Sequence, residues 1–109
     1  MPGKIPLWRY PPAMDPDSLL TQNKDRIREI CRRHGASNIR IFGSVARHEA
    51  GKESDIDILV DLEPGRTLFD LGGLAYDLER LLGRPVEVAT PGLLRAHIRN
   101  RIIREAVPL

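Results

Sequence analysis

The chain has 109 residues, 41% hydrophobic and 29% charged, the composition of one small globular domain rather than two. Aromatic residues make up only 5%, so a core must be built from Leu, Ile and Val. No apolar run approaches the ~20 residues of a membrane span, the N-terminal stretch lacks the apolar segment of a signal peptide, and the single cysteine, Cys31, excludes an internal disulfide or a multi-cysteine zinc site.

These features read as a cytoplasmic protein held together by packing alone. The net charge of +2 is unevenly spread. Glu53 to Glu87 holds nine acidic and three basic residues, whereas Pro91 to Leu109 holds four arginines against Glu105. An acidic middle is neutralised either by cations or by plain solvation.

Residues 1–17 carry five prolines without periodicity. They read as a flexible Pro-rich tail, an upstream start with Met14 as the natural one, or a remnant of cloning; Trp8 and Tyr10 lie within it. Residues 18–109 form the expected domain. From Ser18 to His34, Leu20, Ile27, Ile30 and Cys31 recur at a helical period, with Asp17 as N-cap and Gly35 as the residue past the C-cap. Asn38–Phe42 alternates as a short strand, and Gly43–Ser54 forms a turn followed by a polar loop. Asp55–Leu62 is a second strand, with Asp55, Asp57, Leu59 and Asp61 on one side and Ile56, Ile58, Val60 and Leu62 on the other.

Pro64-Gly65 then turns into a helix from about Thr67 to Leu82. Its apolar stripe is Leu68, Leu71, Leu74, Leu78, Leu81 and Leu82, and Gly83 ends it. Gly72-Gly73 weakens that helix by about 1 kcal/mol per glycine, so close packing or a bend is expected there. Arg84–Ala89 is a third strand. Thr90 and Pro91 are the N-cap and first residue of a final helix reaching about Ala106. The second and third strands, joined by a helix, are expected to be parallel, and the first two antiparallel. The fold class is therefore α/β: a small mixed β-sheet packed with helices.

The chemistry gathers at one edge of that sheet. Gly43-Ser44 ends the first strand, and ten residues separate Ser44 from Asp55. Asp55 and Asp57 share a strand face with their Cα atoms about 6–7 Å apart. Carboxylates that close repel unless a cation sits between them, and hard cations such as Mg²⁺ take one or two carboxylates plus substrate phosphates. A glycine before Ser44 lets backbone N–H groups approach a phosphate, and Arg47 projects from the same turn with a fork suited to phosphate. Glu87, between Val86 and Val88, either adds a third carboxylate to the site or is an edge-strand charge that deters aggregation.

Other polar residues carry less. His34, His48 and His97 have no ligand spacing and read as surface residues, and Cys31 reads as core. The arginines Arg95, Arg99, Arg101 and Arg104 read as a solvated basic face. With few aromatics for base stacking, direct nucleic-acid binding is not expected.

Gly43-Ser44, ten residues, Asp55-x-Asp57 and a later strand acid resemble the nucleotidyltransferases of the DNA polymerase β superfamily. The stretch IFGSVARHEAGKESDIDILVD is similar to the minimal, MNT-type members, and the likeness runs from about Leu20 to Leu109. The resemblance implies a palm-like mixed-sheet fold, two Mg²⁺ ions, and transfer of AMP from ATP to a hydroxyl with release of pyrophosphate. It further implies an antitoxin that adenylylates a tyrosine of a HEPN-type toxin partner and assembles with it. Carried over, Gly43 and Ser44 hold the triphosphate, while Asp55 and Asp57 are the catalytic metal ligands. The third family position is usually aspartate, and here it is Glu87. The longer side chain displaces its carboxylate, which leaves a second function open: a binding module that neutralises the toxin by occlusion.

Overall fold

A computed structural model describes residues 15–51 and 54–109; the expectation for the Pro-rich segment falls mostly outside them. The first helix begins earlier than Asp17. Asp15 is the N-cap, its carboxylate accepting from the Ser18 N–H at 2.8 Å, and α1 spans Pro16–Gln22. The single expected helix is in fact two, because Asn23 leaves helical geometry and its side-chain amide donates to the Leu19 carbonyl at 2.8 Å. The competing side-chain bond ends one helix and α2 (Lys24–Arg33) starts anew. Leu19, Leu20, Ile27, Ile30 and Cys31 are all buried, the last as expected.

Strand β1 (Ala36–Phe42) starts two residues before the expected Asn38 and carries an irregularity between Ser37 and Arg40, where Asn38 has φ +51°. It leads directly into a one-turn helix, α3 (Gly43–Ala46). Strand β2 (Ile56–Leu62) returns antiparallel to β1. Helix α4 (Leu68–Leu82) opens with a reciprocal cap between Thr67 and Asp70 and ends on Gly83 at φ +70°. Strand β3 (Val86–Ala89) then lies parallel to β2, the expected crossover.

The final helix does not run from Thr90. Thr90 makes no side-chain cap; Pro91–Leu93 form a single 3-10 turn, and Leu94 and Arg95 are extended. Helix α5 spans only Ala96–Glu105. Leu94 turns inward onto an apolar cluster, and its carbonyl accepts from Arg99 Nη2 at 2.9 Å. A two-residue strand, β4 (Val107–Pro108), pairs antiparallel with β1, so the sheet order is β3-β2-β1-β4.

The alternation in β2 decides the layering. Ile56, Ile58 and Val60 are fully buried against α2 and α4, where Ile27, Cys31, Leu74 and Leu78 meet them. Leu59, grouped with the aspartates by the alternation, is equally buried, because α5 covers the other face through Ile98 and Ile102 with Phe42 and Ala89. Leu68 departs from the expected stripe and is 68% exposed. Gly73 meets the expectation of close packing: a Cβ there would stand 3.1 Å from the His34 ring. His34 is accordingly half-buried rather than a surface histidine, with Nε2 2.7 Å from Asp77 Oδ2. No helix among the described residues is long and apolar enough to cross a membrane.

Candidate active site

The corner between β1 and α3 is where the sheet turns into a site. Gly43 sits at φ +73°, a left-handed conformation that residues with a Cβ adopt only under strain. A Cβ there would overlap Oδ2 of Asp57. The glycine is thus required twice, once by the backbone and once by the carboxylate pressed against it. Ser44 follows as the second residue of α3, whose leading N–H groups have no acceptor inside the turn.

Asp57 is the hub. On β2 it stands opposite Phe42 of β1 and opposite Glu87 of β3, so Glu87 shares its face and belongs to the site. Burial pushes the Asp57 carboxyl up to about 6; the Glu87 charge, a hydrogen bond with Glu87 and the Asp55 charge push the same way, while the Arg47 guanidinium opposes them. Asp55 lies just ahead of β2 and is exposed, as is Glu87. Five of the six expected residues are therefore placed around the sixth, Asp57: Gly43 in contact, Glu87 opposite it on β3, Asp55 and Arg47 within electrostatic range, and Ser44 adjoining Gly43 in the chain.

Arg47, at the C-cap of α3, is held from two sides. Its Nε donates to Glu49 Oε1 at 3.1 Å and its Nη1 to Glu105 Oε2 at 3.4 Å. Glu105 was missed from sequence. Its only signal is that it is the lone acid among the arginines of α5. A cavity of about 210 Å³ opens behind α3, lined by Leu20, Lys24, Ile41, Val45 and Val107 among others, and none of the three carboxylates borders it.

The donor chemistry fits a hard divalent cation. Glu87 stands beside Asp57 on the same face and Asp55 just ahead of it, and the repulsion among these carboxyl groups, which helps to raise Asp57, is what a bound cation would relieve. Among the described residues no three acidic, histidine or cysteine side chains close on one point as a finished cage. Such a partial shell suits Mg²⁺, which draws its remaining oxygens from water and substrate phosphate.

Residues 24–109 match the nucleotidyltransferase domain family. The chain belongs to that family. It is a nucleotidyltransferase whose fold and carboxylate edge are those just described. Protein adenylyltransferase MntA of Thermococcus cleftensis is 40% identical over 91 residues, covering 84% of this chain and 89% of that protein. A Methanocaldococcus jannaschii relative, also named a protein adenylyltransferase, is 42% identical over 88 residues, covering 81% and 95%. Among solved structures, one described as a minimal nucleotidyltransferase superposes with a TM-score of 0.78 at 44% identity, covering 88% of this chain and 97% of its own. A toxin–antitoxin crystal structure with AMP-PNP shares the fold, with a TM-score of 0.68 at 20% identity over 79% of this chain and 71% of that one.

Proposed function

We propose that this nucleotidyltransferase is an antitoxin that transfers AMP from ATP to a hydroxyl, a tyrosine, of a HEPN-type toxin partner in the cytoplasm. The observation that carries the reading is Asp57, set against the backbone of Gly43 and opposite Glu87 on the neighbouring strand. Gly43 and Ser44 offer N–H groups to the triphosphate, and Arg47 adds a positive fork. Asp55, Asp57 and Glu87 are the residues that would hold Mg²⁺, which when bound neutralises phosphate charge and assists departure of pyrophosphate. The acceptor oxygen bonds to the α-phosphorus as the bond from that phosphorus to the bridging oxygen breaks. The hydroxyl proton passes to a carboxylate, for which exposed Glu87 is best placed.

Relatives named protein adenylyltransferases support a protein acceptor, and the toxin–antitoxin fold neighbours support a toxin as that protein. The test is toxin adenylylation with ATP and Mg²⁺ by the wild type and by Asp57→Asn. Transfer by the wild type alone supports the reading, and undiminished transfer by the variant refutes it.

One observation favours occlusion instead. The third carboxylate is Glu87, one methylene longer than the aspartate the resemblance implies at that position, which displaces the carboxyl group beside Asp57. If Asp55→Ala/Asp57→Ala still suppresses toxicity in cells, neutralisation is by binding; if suppression vanishes while the complex persists, it is catalytic.

A further inference from the structure

Arg47 is held by two acids that reach it from different parts of the chain. Its Nε donates to Glu49 and its Nη1 to Glu105, so Nη2 keeps both N–H groups, with no acceptor among the described residues. Each acid is set there by the fold. Ahead of Glu49, His48 takes φ +58°, a left-handed conformation that a residue with a Cβ adopts only under strain. That turn folds the next residue back, and the Glu49 N–H donates to the Ser44 carbonyl at 2.9 Å. Glu105 is the last residue of α5. Its helix is seated by Ile102, buried with Phe42 and Leu59, and β4 follows at once, with Val107 opposite Ile41 of β1. The same strand delivers Gly43 and Ser44, so the guanidinium and both its acceptors are tied to one end of β1. Glu105 is the firmer hold, its side chain 28% exposed against 60% for Glu49.

We propose that Glu105 is a positioning residue for nucleotide binding: with Glu49 it pins the Arg47 guanidinium so that Nη2 is presented to the polyphosphate. The inference rests on the reading of Gly43, Ser44 and Arg47 as the triphosphate site. An arginine side chain has many rotamers, and a free one would lose that freedom when it grips a ligand. Two fixed acceptors remove much of that cost in advance. The geometry separates fixing from quenching. One carboxylate bound bidentately would occupy both nitrogens of a guanidinium edge. Here two carboxylates from separate residues take Nε and Nη1 singly and leave a whole nitrogen for phosphate. A guanidinium stays charged at every working pH, so the acids set its direction and not its ionisation. It also lies close enough to the carboxylate edge for Asp57 to feel its charge. Arg47, Glu49 and Glu105 together carry one net negative charge, so an acid that acted by charge alone would repel the nucleotide. Positioning and charge therefore predict opposite effects of removing Glu105.

Titration calorimetry of the full chain with Mg²⁺ and α,β-methylene ATP, which cannot release pyrophosphate, tests the clamp. Glu105→Ala should weaken binding about tenfold, and Glu105→Gln, which keeps an acceptor oxygen, should lose less. Arg47→Ala should weaken binding at least as much, and adding Glu105→Ala to it should weaken binding no further, because the acid acts only through the guanidinium. In transfer assays the loss from Glu105→Ala should fall on KM for ATP, with kcat held within about twofold. Where alanine fails to fold, Glu105→Gln with and without Arg47→Ala carries the same comparison. Tighter binding by the Glu105 variants would make the acid a competitor of the phosphates, and a further loss on top of Arg47→Ala would make it a general support of the fold. Either result, or unchanged binding, overturns the proposal. A wild type that binds no nucleotide refutes the reading of the triphosphate site itself, and the clamp falls with it.

Discussion

Replacing Asp57 by asparagine should make the metal-free protein more stable while abolishing transfer. In the folded chain the Asp57 carboxyl is raised from 3.8 to about 6, first by burial and then by Glu87 and Asp55. At about 1.4 kcal/mol per pKa unit the ceiling on the cost of ionising it in place is roughly 3 kcal/mol; Asp57 keeps some solvent contact, which reduces this to about 1–2 kcal/mol. The sign follows from linkage. A carboxyl whose folded pKa is raised contributes stability that is complete below its unfolded value and lost as pH rises through the folded one. The wild type has therefore lost that contribution above about pH 6, whereas asparagine never titrates.

Urea unfolding in EDTA at several pH values measures this directly. Asp57→Asn should exceed the wild type by about 1–2 kcal/mol at pH 8, or about 4–8 °C in Tm per kcal/mol for a domain of this size. The gap should close between pH 6 and pH 4. Adding Mg²⁺ and nucleotide should reverse the order, since only the wild type gains from binding them. A variant less stable than the wild type at pH 8, or a difference that does not change with pH, refutes the assignment of Asp57 as a carboxyl strained by its neighbours.

Gly43→Ala must accept a φ of +73° and a Cβ overlapping the Asp57 carboxylate, so it should cost about 2 kcal/mol or more in thermal unfolding and abolish transfer. Glu87→Asp should retain transfer and Glu87→Gln should lose about 100-fold or more in kcat, checked by initial rates with ATP. Leu74, fully buried, should cost about 2–5 kcal/mol as alanine, whereas Leu68→Ala should change stability by no more than about 0.5 kcal/mol. Equal effects at the two leucines would contradict the orientation of α4.

The parts legible in the sequence were those set by short-range rules. The alternation of β2 placed Asp57 away from the apolar row, and the spacing from Gly43 to Asp55 placed turn and carboxylates at one edge. The parallel pairing of β2 with β3 followed from the connecting helix, but not the register that puts Glu87 on the Asp57 face, which depends on how the two strands slide against each other. What escaped was decided by partners distant in the chain. Leu59 reads as part of a polar face until α5 is laid over it. The Val107–Pro108 strand is too short to show a pattern, and Pro108 tolerates it only because β4 is an edge. The break at Asn23 rests on one side-chain bond to Leu19, and the hold of Glu105 on Arg47 spans 58 residues.

The most direct measurement is the intact mass of both proteins after the full chain is combined with its toxin partner, ATP and Mg²⁺. Nucleotidyl transfer centred on Asp57 predicts a partner heavier by one or more AMP units with the wild type and an unshifted partner with Asp57→Asn. A stable complex in which neither protein gains mass would contradict it.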